Sequence, residues 1–212
     1  MSDSLSASAR STGHRLRFAK AHAYGNDFLY VEGRYVRGVA LPALARAICD
    51  RQTGVGADGL IVFDATADGA AMTLFNADGS RAEVSGNGIR GLAAWLLRDG
   101  DRDAVVIRTD AGDKRLVRTA RAGARHTFRA SMGAPSDIHR RRIVAGGEAV
   151  DVVVLAMGNP QCVLLGPLPA QERFRRVGAA LEWHPSFPSG TNVEFAEVES
   201  PDRLRILIWE RG

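Results

Sequence analysis

The chain has 212 residues, of which 45% are hydrophobic and 25% charged, and its formal net charge is +4. This balance is typical of a soluble globular protein with one large domain or two small ones, and no apolar run approaches the about 18 residues that a membrane span needs. The basic excess is scattered, and its one local run, His139 to Arg142, lacks interleaved aromatic residues, so we expect neither a membrane nor a nucleic acid as a partner.

The first part of the chain predicts alternating strands and helices. Residues 1–14 are polar and Ser-rich, without the apolar segment of a secretory signal, and are predicted to be a disordered tail of a cytoplasmic protein. From Leu16 we predict two strands joined at a Gly-Asn-Asp turn, a helix over 41–49, and a glycine loop, RQTGVGADG. The strands LIVFDA and AMTLFN follow, and a Ser-Gly-Asn-Gly turn then opens an apolar helix.

The second part of the chain predicts mostly strands. The segments AVVIRTDAG, KRLVRTA and HTFRASMGAP precede the arginine run, and AVDVVVLAMGNPQCVLLG follows it as strand, turn and strand. A modest helix over 173–181 separates these from two final strands, TNVEFAEVES and RLRILIWE. Strands outnumber helices, which predicts an α+β fold.

An internal repeat relates the two parts of the chain. The segment AYGNDFLYV resembles AMGNPQCVLL, which aligns Asn26 with Asn159. Asn26 lies 33 residues before Gly59, and Asn159 lies 33 residues before Asn192. The next polar turn follows 50 residues after Asn26 and 51 residues after Asn159. The repeat predicts two halves with one plan, and it predicts that the counterpart of the Ser-Gly-Asn-Gly turn falls beyond residue 212.

Two kinds of motif carry chemistry. A glycine turn at a helix start, such as Ser85 to Gly88, exposes N–H groups that bind a carboxylate or phosphate, although it is also explained by the glycine conformations of a tight turn. The asparagines at strand ends offer both a donor and an acceptor, which suits an amino-acid head group. Cys49 and Cys162 match no metal spacing and are interpreted as small buried hydrophobic residues of a reducing compartment.

These segments together resemble the diaminopimelate epimerase family. The resemblance rests on HAYGNDFLYV, RQTGVGADGLIVF, LFNADGSRAEVSGNGIRGLAAWL, MGNPQCVLL, HPSFPSGTNVEF and IWERG, which occur in the family's order from about residue 16 onward. It implies two pseudo-repeated domains, 15–124 and an incomplete 125–212, each a mixed β-sheet barrel around a central helix with the active site between them. It also implies a cofactor-free isomerase that interconverts LL- and meso-diaminopimelate for lysine and peptidoglycan precursors, with no metal and with a homodimer as an open prediction.

The resemblance also implies the site residues. The asparagines match substrate contacts of the family, Gly86 and Asn87 match the turn that binds the α-carboxylate, and Arg211 with Glu210 matches a pair near the reacting centre. Ser85 stands where the family has its first catalytic cysteine, and it is carried over as a catalytic position together with Glu210. The predicted substrate-binding residues are Asn26, Asn76, Gly86, Asn87, Asn159, Asn192 and Arg211.

Three departures from the family pattern bear on activity. Ser85 replaces a thiol by a much weaker acid, Gln161 stands where the family usually has a proton-shuttling histidine, and the segment with the family's second catalytic cysteine does not follow Arg211 and Gly212 in this sequence. These departures predict weak or absent epimerase activity. Two alternatives stay open, a related isomerase or racemase that acts on another amino acid, and a non-catalytic relic that binds carboxylates.

Overall fold

The computed structural model describes residues 16–211, and the tail predicted over 1–14 lies outside the described residues. The helices are α1 (Leu41–Cys49), α2 (Gly86–Leu96) and α3 (Gln171–Glu182), with a short 3-10 turn at Gly33–Tyr35. None of the helices formed by residues 16–211 has the length and apolarity to cross a membrane. The strands are β1 (Ala19–Ala23), β2 (Asn26–Glu32), β3 (Gly59–Ala65), β4 (Gly69–Asn76), β5 (Arg81–Ala82), β6 (Ala104–Thr109), β7 (Gly112–Ala122), β8 (Arg125–Ala130), β9 (Ser136–Ala145), β10 (Glu148–Ala156), β11 (Pro160–Leu165), β12 (Asn192–Ser200) and β13 (Arg203–Trp209).

The strands form two mixed sheets, which confirms the predicted α+β class. The first sheet has the order β1-β2-β3-β4-β6-β7-β8, with β5 paired to β4, and the second has the order β13-β12-β11-β10-β9. In the first sheet β2 runs parallel to β3 and β4 to β6, and in the second β11 runs parallel to β12. All other neighbours are antiparallel.

The topology confirms the internal repeat. The strands β1 to β4 and β10 to β13 follow one another in the same spatial order and with the same pairing directions. In each half a helix bridges the parallel pair, α1 between β2 and β3 and α3 between β11 and β12. The equal spacing of 33 residues therefore reflects two copies of one strand–helix–strand unit.

Helices cover both faces of the first sheet. Because successive strand residues point to opposite faces, Leu29 and Leu60 pack against α1, whereas Tyr30 and Ile61 pack against α2. The α2 helix approaches the sheet closely at Gly91, where a Cβ would collide with Tyr30 Oη. The Tyr30 hydroxyl donates a hydrogen bond of 3.0 Å to the carbonyl oxygen of Gly88, so a glycine and a buried tyrosine together set the position of α2.

The second sheet is covered by α3 on one face. Cys162, Val193 and Phe195 form the core beneath that helix. On the other face no helix packs among residues 16–211, and aliphatic side chains of β13 such as Ile206 and Ile208 are about half exposed. The central helix predicted for each half is thus present as α2 in the first half, and the described part of the second half contains no counterpart.

The sheets divide at a different residue from the predicted domain boundary. That boundary, between residues 124 and 125, falls in the turn between β7 and β8, and β8 is hydrogen-bonded to β7 in the first sheet. Residues 125–130 therefore belong to the first sheet, although the division into two domains stays a prediction. The arginine run, interpreted as a solvated loop or face, lies in β9 with its side chains exposed.

Candidate active site

A cavity of about 400 Å³ lies where the ends of the two sheets meet. All nine residues predicted for the site line it, although their individual roles stay predictions. They come from both halves of the chain, so neither sheet forms this cavity alone. The nine residues are Asn26, Asn76, Ser85, Gly86, Asn87, Asn159, Asn192, Glu210 and Arg211.

The repeat explains why these residues converge. Asn26 begins β2 and Asn76 ends β4, and the two strands flank β3 so that both asparagines lie at one end of the first sheet. In the second sheet Asn192 begins β12 and Glu210 follows the last residue of β13. Equivalent strand ends of the two halves therefore face the same cavity.

The start of α2 supplies unpaired N–H groups. Ser85 is the N-cap residue, with φ −126° and ψ 122°, and its Oγ accepts a hydrogen bond of 3.1 Å from the N–H of Gly88. The N–H groups of Gly86 and Asn87 have no hydrogen-bond partner among residues 16–211. Because the helix dipole adds partial positive charge at this end, the turn is suited to a carboxylate.

The asparagines of the first half present acceptors to the cavity. Asn26 donates from Nδ2 to Asp58 Oδ2 at 3.0 Å, and Asn76 donates from Nδ2 to Ser80 Oγ at 3.0 Å. In both residues the Nδ2 group is thus engaged with the protein and Oδ1 is left without a partner in the described chain. Two carbonyl-type oxygens suit the N–H groups of an ammonium.

The asparagines of the second half have the opposite polarity. Asn159 accepts through Oδ1 from Gln161 Nε2 at 2.7 Å, and Asn192 accepts through Oδ1 from the N–H of Arg211 at 2.8 Å. Their Nδ2 groups are left as donors, which suit a carboxylate. The asparagines of the first half therefore form an acceptor side of the cavity and those of the second half a donor side, while the N–H groups at the start of α2 add donors from the first half.

Arg211 ties the two halves together. Its Nη2 atom lies 2.7 Å from Glu83 Oε2, 128 residues earlier in the chain, and its Nη1 donates to the carbonyl oxygen of Ser189 at 3.0 Å. The guanidinium is largely buried, with 17% of the side chain exposed. It is the cation at the donor side, and a bound carboxylate has to share it with Glu83. Glu210 is exposed at the rim of the cavity.

Two carboxyl residues of the cavity, Asp58 and Glu194, were missed by the sequence analysis. Glu194 lies two residues after Asn192 on β12 and therefore on the same face of the strand. Its Oε2 is buried without a partner in residues 16–211, and burial raises the pKa of this carboxyl to about 7. The strand alternation from Asn192 was the signal that could have found it.

No thiol of the described chain lies in the cavity. Cys49 is buried in the core under α1, and Cys162 in the core under α3, which confirms both as buried hydrophobic residues. Burial raises the pKa of Cys49 to about 11 and that of Cys162 to about 12. Within residues 16–211 no group of three or more His, Cys, Asp or Glu side chains is placed to hold a metal ion.

Comparison with known proteins identifies the family. The model of the diaminopimelate epimerase family matches residues 18–137. The chain is 41% identical over 221 residues to diaminopimelate epimerase of Desulforudis audaxviator, a match that spans 93% of this chain and 77% of the relative. The chain belongs to the diaminopimelate epimerase family. The corresponding enzyme of Pelotomaculum thermopropionicum is 36% identical over the same shares of the two chains, and members of this family are isomerases.

Solved structures show the same fold at low sequence identity. A probable proline racemase of Agrobacterium radiobacter, solved with bound carbonate, superimposes with a TM-score of 0.69 at 16% identity, covering 92% of this chain and 70% of that chain. A hydroxyproline epimerase of Agrobacterium vitis gives a TM-score of 0.65 at 18% identity, covering 93% and 70%. These neighbours confirm the diaminopimelate-epimerase-like fold predicted from the sequence.

Proposed function

We propose that this chain is a cytoplasmic isomerase of the diaminopimelate epimerase type, and that it binds diaminopimelate in the cavity between its two sheets. The observation that carries the proposal is the convergence of unpaired N–H groups, asparagine acceptors, asparagine donors and Arg211 around one cavity. Diaminopimelate has an amino-acid head group at each end, so it needs two carboxylate partners and two ammonium partners. The cavity offers both kinds.

One α-carboxylate binds to the N–H groups of Gly86 and Asn87 at the start of α2. The distal carboxylate binds to Arg211 and to the Nδ2 groups of Asn159 and Asn192. Ammonium groups bind to asparagine oxygens of the first half and to Glu210 at the rim. This arrangement is consistent with the polarity of the two sides of the cavity and with the family of the chain.

The cavity also supports the charge that develops during epimerisation. Loss of the α-proton moves negative charge onto the neighbouring carboxylate, and the N–H groups and dipole at the start of α2 stabilise that charge. Proton removal itself is the step that this chain performs poorly. The Ser85 hydroxyl is a much weaker acid than a thiol, and its Oγ already accepts the N-cap hydrogen bond from Gly88.

Solvent exchange of the α-proton tests the proposal. Proton NMR in D₂O should show slow loss of the α-proton of meso-diaminopimelate with the wild-type chain. Ser85→Cys should accelerate the loss at least about tenfold, because a helix N-terminus lowers the pKa of a thiol. Absence of both binding and exchange in both proteins would overturn the proposed function. Faster exchange of another amino acid in a substrate panel would instead favour a related isomerase or racemase.

A second function, binding without turnover, is favoured by the N-cap role of Ser85. A serine that caps α2 maintains the carboxylate-binding turn without contributing a base. If the chain binds without turnover, calorimetry should detect binding of diaminopimelate. Neither the wild-type chain nor Ser85→Cys should then exchange the α-proton.

A further inference from the structure

A cluster of charged side chains lies directly behind Asn26. The two carboxylate oxygens of Asp58 have different partners in this cluster. Oδ2 accepts hydrogen bonds from Asn26 Nδ2 at 3.0 Å and from the N–H of Asp27 at 2.8 Å. Oδ1 accepts from Arg51 Nη2 at 2.8 Å. Asp58 also lines the cavity, so it connects the charged cluster to the candidate active site.

The position of Asp58 is fixed by its neighbours. Its N–H donates to the carbonyl oxygen of Asp27 at 2.9 Å and also lies 3.1 Å from Asp27 Oδ1. Arg51 Nη2 lies 2.7 Å from Asp27 Oδ1, and Lys20 Nζ lies 3.0 Å from Asp27 Oδ2. The Arg51 guanidinium is the main cause that holds the pKa of Asp27 well below its usual range. Two cations thus balance two carboxylates.

Asp58 is also joined to the second acceptor asparagine. The carbonyl oxygen of Asp58 accepts a hydrogen bond of 3.0 Å from the N–H of Ala77. The next residue, Gly59, pairs with Asn76 across β3 and β4. Asp58 therefore lies between the chain segments that carry both acceptors of the first half.

We propose that Asp58 is a positioning residue that makes the cavity selective for an ammonium-bearing ligand, because it holds the Asn26 amide with its oxygen toward the ligand. An asparagine amide that is free to rotate can present either its oxygen or its NH₂ group. A carboxylate accepts hydrogen bonds and cannot donate them. Rotating Asn26 would place its Oδ1 against Asp58 Oδ2, two acceptors without a proton between them, so the observed orientation is enforced. This inference rests on the proposed function, since the ligand is taken to be an amino acid.

The test compares two ligands of the same length. Pimelate has the carbon chain and both carboxylates of diaminopimelate but no amino groups. Calorimetry with the wild-type chain should show tighter binding of meso-diaminopimelate than of pimelate. Asp58→Ala should reduce this preference about tenfold, which corresponds to the loss of one hydrogen bond to a charged group. The affinity for pimelate should stay unchanged. Asp58→Asn keeps the size of the side chain, but its NH₂ group can also donate to Asn26 Oδ1, so this variant should lose part of the preference as well.

Asp68→Ala is the matched control. Asp68 holds Arg108 with contacts of 2.9 and 3.1 Å, and its exposure is similar, 48% against 39% for Asp58. It precedes the start of β4, at the opposite end of that strand from Asn76, and it does not line the cavity. This control should leave both affinities unchanged, which separates loss of a surface ion pair from loss of the Asn26 orientation.

The outcomes separate this inference from the proposed function. Unchanged preference in Asp58→Ala, or equal loss of affinity for both ligands, would overturn the positioning role. A wild-type chain without any preference would overturn the proposed function, and a ligand-free measurement then decides the role of Asp58. In that measurement, NMR of the Asn26 side-chain amide should show slow hydrogen exchange in the wild type and fast exchange in Asp58→Ala. Slow exchange in both would contradict the inference.

Discussion

Replacing Glu194 with glutamine should stabilise the folded chain at neutral and alkaline pH. Glu194 shares its face of the second sheet with Ile208 and Val163, and Glu210 and Arg211 line the same cavity. Burial raises its pKa from 4.5 to about 7. Since each pKa unit corresponds to about 1.4 kcal/mol, ionising this carboxyl costs the folded state at most about 3 kcal/mol.

The sign of the pH dependence follows from which state releases its proton first. Below about pH 4.5 the carboxyl is protonated in both states and carries no cost. Between pH 4.5 and 7 the unfolded chain ionises while the folded chain holds its proton, so the wild type loses stability as pH rises, and above about pH 7 the cost is complete. Glutamine does not titrate. The difference in free energy of unfolding between Glu194→Gln and the wild type should therefore grow by about 2 kcal/mol from pH 5 to pH 8.

Urea unfolding followed by circular dichroism at four pH values between 5 and 8 measures this difference. His126, whose pKa is lowered mainly by burial, is present in both proteins, so its contribution cancels in the comparison. Glu197→Gln, a change on the same strand whose carboxylate lies beside Arg205, serves as the control and should show no such trend. A difference for Glu194→Gln that stays constant from pH 5 to pH 8 would refute the reasoning.

Three further predictions concern α2 and the donor side of the cavity. Ser85→Ala removes the N-cap acceptor and should lower the free energy of unfolding by about 1 kcal/mol in denaturant titrations; no loss would show that the cap contributes nothing. Gly91→Ala should destabilise the chain by more than about 2 kcal/mol, because its Cβ meets Tyr30 Oη, and Tyr30→Phe in the same chain should recover part of the loss; a neutral Gly91→Ala would contradict the close packing. Arg211→Met should weaken calorimetric binding of diaminopimelate about tenfold or more and leave lysine, which lacks the second carboxylate, unaffected; equal losses for both ligands would argue against a carboxylate contact.

Much of the fold follows from local patterns. Pro42 and the apolar residues at helical spacing predicted a helix over 41–49, and the structure has α1 over these same residues. The glycine turn at Ser85 likewise marked the start of α2. The repeat added long-range information, because equal spacings in two segments placed Asn26 and Asn159 at equivalent strand ends before any pairing was known.

The parts that were not predicted depend on pairing between distant segments. Assignment of β8 to the first sheet is decided by its hydrogen bonds with β7, and the exposed arginines gave no sign that they form β9. The direction in which each asparagine amide faces is set by partners such as Asp58 for Asn26 and the N–H of Arg211 for Asn192. The sequence shows that an asparagine side chain can donate and accept hydrogen bonds. Which of its atoms remains available for a ligand depends on the neighbouring residues in the folded protein.

An NMR titration of the ¹⁵N-labelled chain with meso-diaminopimelate tests most directly whether the two halves form one ligand site. Binding in the cavity between the sheets should produce saturable shifts of the backbone amides of Gly86 and Asn87 together with the side-chain amides of the cavity asparagines, so that residues of both halves respond with one dissociation constant. Shifts confined to one half, or no shifts at these groups at millimolar ligand, would contradict the claim that the two halves form one amino-acid site.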